Sequence, residues 1–345
     1  MIHQFLKGAV AFGVAAGLAG AATAANMVDG PSVTWNHATW GKPRAFTAGV
    51  EYVAKHLEER TGGKFKIVIS YGGLSNEKET LDGIQIGAFE SANFCNFYHP
   101  DKNPTAMIFS LPFLPIGDWN VRIKASDAYY QHPAVAADMK RWNAMVYMAG
   151  ILPQYEFLGR GKAPKKLEDW KGLRVRAGGG IGTAMEMLGA TLTTVPATEV
   201  YTVMERGAVD AASFPYTYAH AAYKVHEVSN WFTSNFQPGT ADCPMVFNLD
   251  AYNALPQQYK DLLADLKDGA YTTMKDAYLA ADEKNLPIFR AKLQEVTFTE
   301  AELDEFRTAV GKPVWDKWVA DNAGTIPAQE LLDFLLAEAK KVAGS

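Results

Sequence analysis

Arg176 closes an alternating run, Leu173-Arg174-Val175-Arg176, and Gly178, Gly179, Gly180 and Gly182 follow at once. An arginine at a strand end, beside the free N–H groups and positive dipole end of a following helix, suits a carboxylate. Its planar fork can make two parallel charge-assisted hydrogen bonds. A solvated surface arginine or half of an internal ion pair is the plainer alternative. The glycines raise a second chemistry. Gly178, Gly180 and Thr183, with Glu199 downstream, come near a dinucleotide fingerprint, but Thr183 stands where the third glycine belongs. A tight turn that lets the backbone pass close to a neighbour explains the same residues. Tyr216, Tyr218 and His220 are placed to line a pocket, by stacking on a ligand or enclosing a cationic group, or else to pack under a loop. The sequence carries no nucleophile motif, no carboxylate pair at a telling spacing and no Cys/His metal-ligand spacing.

The elements that must position these residues read as strand, helix, strand, helix, strand. Leu173 to Arg176 is the first strand. The helix through Ala184, Met187 and Leu188 stops at Gly189, and Leu192 to Val195 is the next strand. A helix over Ala197 to Arg206 carries Val200, Val203 and Met204 on one face, and Val209 to Phe214 returns as a strand. This order predicts an α/β lobe that binds ligands near the carboxyl ends of its strands. Upstream, strand Val33–His37, helix Arg44–Arg60 and strand Phe65–Tyr71 form a similar start. Downstream, Gln257 to about Val296 predicts one long helix with Pro287 as a kink, and Thr299 to Ser345 two more helices.

At 345 residues and 48% apolar content, the chain can build two domains. A net charge of −5 with no basic stripe excludes nucleic acid as a partner. Lys7, the apolar run Ala9 to Ala19 and Ala22-Thr23-Ala24 read as a secretory signal over residues 1–25, with a membrane anchor as the alternative. An exported chain can oxidise its two cysteines, Cys95 and Cys243. A bridge and two buried thiols both remain open.

Lys171-Gly172-Leu173-Arg174-Val175-Arg176, Leu188-Gly189-Ala190, Glu199-Val200-Tyr201 and Gly207-Ala208-Val209-Asp210 occur in order and at specific spacing. Together with Ser110-Leu111-Pro112-Phe113-Leu114 and the glycine-leucine turn Gly72-Gly73-Leu74, they resemble the solute-binding proteins of TRAP transporters, the C4-dicarboxylate-binding type. The likeness covers nearly the whole mature chain. It implies an α/β, two-lobed periplasmic binding protein fold with a long helix spanning both lobes and a ligand cleft between them. The expected division is 26–150 plus 240–280 for one lobe and 151–239 plus 281–345 for the other.

The resemblance assigns Arg176 to the ligand carboxylate and places Trp40 in a loop bordering the cleft. Glu77 falls where polar ligand groups are met, although a solvated carboxylate at a helix start accounts for it too. Asn96, at the end of a strand Phe89–Phe97, joins the candidate ligand-binding set. The chain also departs from the family pattern. Gln154, Tyr155 and Glu156 stand where a second arginine is common, so a positive charge is expected to be missing and a negative one to replace it. Phe214 replaces a carboxylate-holding asparagine, and Ser213 replaces the acid that helps some 2-oxo-acid binders hold a cation. No metal and no cofactor is therefore expected. Phe214, Tyr155 and Tyr216 are expected to shape and dry the site. The expectation is a monomeric periplasmic binder of a small monocarboxylate with an apolar, aromatic or cationic end, delivering to TRAP membrane permease subunits. An exported hydrolase or lyase is the competing class.

Overall fold

A computed structural model describes residues 27–344, so the signal over 1–25 lies outside the described residues. Eleven strands form two sheets among these residues. The first sheet holds β1 (Val33–Thr39), β2 (Phe65–Tyr71), β3 (Ser91–Asn93), β4 (Ala144–Met148) and β10 (Met245–Asn248), in the order β2-β1-β3-β10-β4. The second holds β5 (Tyr155–Gly159), β6 (Arg174–Arg176), β7 (Thr191–Thr193), β8 (Ala211–Pro215), β9 (Trp231–Thr233) and β11 (Gln294–Val296), in the order β11-β9-β5-β8-β6-β7. β1 pairs in parallel with β2 and β3, and β6 with β7 and β8. β5 and β10 run antiparallel to their neighbours. They follow the first two of the chain's three crossings between the sheets; the third leads into β11, which pairs in parallel with β9.

The crossings are packed without slack. A Cβ at Gly150 would stand 1.8 Å from the Cys243 carbonyl oxygen, so only glycine lets the two crossing strands touch. A disulfide joins Cys95 to Cys243 at the same place, which settles the alternative left open by the sequence. The long helix is Gln257–Lys292, with Pro287 inside it, and it packs along helix Ala48–Arg60. Beyond it lie three helices, not two: Glu300–Phe306, Lys312–Asn322 and Ala328–Ala343. A π-turn at Arg307–Gly311 links the first pair. The last helix carries an apolar stripe, Leu331, Leu332 and Leu335, and lies against helix Trp119–Tyr130 beside the first sheet.

Several expected strands are shorter than the apolar runs that predict them. Phe89–Phe97 yields only β3, because the chain turns through a 3-10 segment at Asn96–Tyr98. The helix expected over Ala197–Arg206 likewise begins with a 3-10 turn and ends at Glu205.

Candidate ligand-binding site

β6 is only three residues long, and its last side chain, Arg176, is 1% exposed. Nε and Nη2 both donate to the Val195 carbonyl (3.1 and 3.0 Å), and Nη1 donates to the Ser213 carbonyl (2.9 Å). A fourth bond runs from Nη2 to the Tyr98 hydroxyl at 3.3 Å. A guanidinium has five N–H donors, so one on Nη1 is left over. The cation lies over the Phe214 ring, 4.5 Å from its centroid, and 5.8 Å from that of Phe97. No carboxylate pairs with it among the described residues. Burying a cation on carbonyls and ring faces alone is costly, and an anion offsets that cost.

Tyr98 comes from the 3-10 turn after β3 and meets the second sheet's residues directly. Its hydroxyl accepts from the Ala197 N–H (2.9 Å) and from Arg176. Burial pushes its pKa up to about 12, against the pull of Arg176, so it keeps its proton. No described residue accepts that proton. Arg176 and Tyr98 thus present one spare donor each.

In front of this pair lies a cavity of about 30 Å³. Trp40, Phe46, Phe97 and Tyr98 line it from one side, and Tyr155, Phe214, Tyr218 and Tyr223 from the other. The Cys95–Cys243 bridge contributes to the wall. Arg176 stands just behind, touching Tyr98 and Phe214. Phe214 stacks on Tyr223, with centroids 5.5 Å apart and rings inclined by 10°.

Arg44 also lines the cavity, and it was not foreseen. Its Nη1 donates to the Trp40 and Lys42 carbonyls (2.7 and 2.8 Å), while its buried Nε has no partner. The guanidinium lies 4.9 Å from the Phe46 centroid and 5.9 Å from that of Tyr223. The expectation that the site lacks a second positive charge is therefore corrected. The charge comes from the other half of the molecule, at the start of a helix, where no motif flags it.

Glu156 does not replace that charge with a negative one. Its carboxylate turns away from the cavity and accepts from Thr233 Oγ1 (2.5 Å), Phe236 N (3.3 Å) and Gln237 N (3.1 Å). Burial raises its pKa to about 7 against those three donors. Glu156 and Tyr216 line a separate cavity of about 180 Å³, so neither joins Trp40, Tyr155 and Phe214. Asn96 is buried but its amide is spent locally. Nδ2 donates to the Ala106 carbonyl (2.7 Å) and Oδ1 accepts from Phe97 N (2.8 Å), which braces the turn carrying Phe97 and Tyr98. Glu77 accepts from Thr198 Oγ1 (2.9 Å), a contact between the two halves beside the cavity.

The glycine run is a packing device. A Cβ at Gly180 would come 2.6 Å from the Ser110 carbonyl oxygen, and one at Gly178 would come 2.6 Å from Phe97. Gly180 N also donates to Ser110 Oγ (3.1 Å). The glycines thus let the Ser110-Leu111 segment pack directly on the helix start.

Residues 38–322 match the family model of bacterial extracellular solute-binding protein family 7, DctP. The chain belongs to this family. It is an extracytoplasmic solute-binding protein of a TRAP transporter. The chain is 28% identical to the monocarboxylate 2-oxoacid-binding periplasmic protein of Nostoc sp., over 84% of each protein. Its fold is similar to that of a marine-metagenome TRAP solute-binding protein specific for aromatic acid ligands, solved with 3-hydroxybenzoate. That match has a TM-score of 0.78 and 20% identity, and covers 91% of this chain and 99% of the other. A TRAP solute-binding protein of Rhodoferax ferrireducens, solved with copurified benzoate, superposes with the same TM-score, identity and coverage.

Proposed function

We propose that this protein captures a small monocarboxylate with a flat or apolar body between its two halves and delivers it to the membrane permease. One observation carries the reading. A buried, acid-free guanidinium and a protonated phenol, each with a donor to spare, meet at the edge of a cavity walled by aromatic rings. The carboxylate takes Arg176 Nη1 and Tyr98 Oη, and the body stacks among Trp40, Phe214 and Tyr223. Arg44 closes the other end and prefers a ligand with a second acceptor, such as a 2-oxo or ring hydroxyl group. The Nostoc relative and the two aromatic-acid neighbours support the monocarboxylate class. The aromatic wall disfavours a C4-dicarboxylate, whose short aliphatic body gains little from stacking on rings.

On this reading the chain is exported, loses residues 1–25 and acts as a monomer in the periplasm. It releases its ligand unchanged. The test is mass spectrometry of the ligand released from purified protein, followed by thermal-shift titration with benzoate, 3-hydroxybenzoate, pyruvate and succinate. Stabilisation by one or more of the first three, with the compound recovered intact, is the expected result. A response to succinate alone, or turnover of any of them, overturns the reading.

A further inference from the structure

The cavity that holds Glu156 and Tyr216 lies where the chain crosses between the two sheets. Its walls are Leu152 to Gln154 before β5, Gln237 before β10, the start of helix Trp119–Tyr130, and Asp282 of the long helix. Its 180 Å³ is six times the volume of the aromatic cavity and over ten times the ~10–15 Å³ one water needs. Its polar groups are not content. Asp118 caps helix Trp119–Tyr130, which places Trp119 and Arg122 one turn apart on the cavity wall. Arg122 is 2% exposed. Its Nη2 donates to the Ala241 carbonyl (2.6 Å) and forms a long ion pair with the buried Asp242 (3.9 Å), which approaches Nη2 alone, so Nε and Nη1 have no partner. The Tyr216 hydroxyl, also buried, has none either. A buried donor without an acceptor costs about 1–3 kcal/mol, more when charged.

The same cavity holds two acids. Glu156 is already satisfied by Thr233, Phe236 and Gln237. Asp282 is half-buried and accepts the Thr217 N–H through Oδ1 (2.7 Å), and no described cation pairs with it. A simple anion would satisfy Arg122 but meet Asp282 unfavourably, and a simple cation would do the reverse. We propose that this crossover cavity is a second ligand site that takes a small zwitterion, with its oxyanion end on Arg122 and its cationic end on Asp282. Tyr216 and the amides of Gln154 and Gln237 supply neutral hydrogen bonds between the two poles. This assignment is independent of what the aromatic cavity binds.

The test uses the full mature chain with glycine as the probe, and acetate and ethylammonium as single-charge controls. Crystals soaked in glycine should show it spanning Arg122 and Asp282. Calorimetry should give acetate and ethylammonium at least about tenfold weaker than glycine. Asp282→Asn keeps an acceptor for Thr217 and should weaken glycine by at least about tenfold. Arg122→Gln should do the same, and Asp282→Asn decides the matter if Arg122→Gln fails to fold. Arg176→Ala should leave glycine bound, which separates this site from the aromatic one. Water alone in the cavity of the soaked crystals overturns the proposal. So does acetate binding as tightly as glycine with Asp282→Asn unaffected.

Discussion

Two cavities flank the start of β5, and they are built on opposite plans. The one in front of Arg176 is small and walled by rings, and its polar groups are donors. The other is six times larger and walled by amides and charges of both signs. Tyr155 faces the first, while its neighbours Gln154 and Glu156 face the second. The split recurs where β8 ends. Phe214 and Pro215 line the aromatic cavity, and Tyr216, one residue past the strand, lines the polar one. Adjacent residues thus serve different sites, because side chains alternate along a strand and scatter where it stops.

The sharpest way to break this partition is Arg176→Ala. Truncating one partner of a buried charge pair costs about 2–5 kcal/mol, so the aromatic-cavity ligand identified by mass spectrometry should bind at least tenfold more weakly by calorimetry. An unchanged dissociation constant would move the carboxylate elsewhere, Arg44 being the first place to look.

How much of this could be read beforehand differs between fold and site. The α/β class, the helix at 257–292 and the strand–helix–strand repeat around Arg176 follow from periodicity and glycine stops, which are local signals. Arg176, Trp40, Tyr155 and Phe214 reach one site because they flank strand ends. Arg44 and Tyr98 were missed because nothing local marks them. Arg44 sits at an ordinary helix start, and Tyr98 gains its role only by meeting Ala197, 99 positions away. Glu156 and Tyr216 were misplaced for the opposite reason. Their proximity in sequence to Tyr155 and Phe214 stood in for proximity in space.

The disulfide lines the aromatic cavity and also ties the turn after β3 to the crossing that leads into β10. Replacing both Cys95 and Cys243 by Ala should lower stability by about 2–4 kcal/mol, read as a drop in the denaturant midpoint. Ligand affinity should fall as well, because Asn96–Tyr98 follows Cys95 directly. A variant as stable as the parent would show that packing around Gly150 and the Asn96–Tyr98 turn holds this crossing without the bond.

Glu156 distinguishes the polar cavity by its response to pH. Its folded pKa, about 7, lies above the ordinary 4.5 because burial disfavours the charge. The folded state therefore binds more protons than the unfolded state between about pH 4.5 and 7. The stability this group contributes is full below 4.5 and is lost as pH rises through 7, by up to roughly 3 kcal/mol. His37, His99 and His220 act in the opposite sense. Burial holds them down at about 4, 4 and 3, so their contribution is present above 6.5 and lost on acidification. The parent's net profile mixes both trends. The difference between Glu156→Gln and the parent, followed by urea unfolding at pH 5 and pH 8, isolates the carboxylate. The variant should gain relative to the parent as pH rises. An identical offset at both pH values would mean that Glu156 is ionised throughout.

The smallest expected effect is the most direct check on the partition. Tyr216 was expected at the ligand, yet its hydroxyl lies buried in the polar cavity with no partner. Tyr216→Phe removes an unsatisfied group and leaves the ring's packing. Removing a buried hydroxyl that makes no hydrogen bond relieves its desolvation cost. Stability should therefore hold or rise by about 1 kcal/mol, the low end of that cost, and affinity for the aromatic-cavity ligand should stay within about twofold. Phe214→Ala is the matched control. It strips a ring from over the Arg176 guanidinium, a contact worth about 0.5–2 kcal/mol, and must weaken that ligand measurably. If Tyr216→Phe instead costs as much as Phe214→Ala, the ligand extends past β8 into the polar cavity. The two spaces would then be one site with an aromatic end and a charged end.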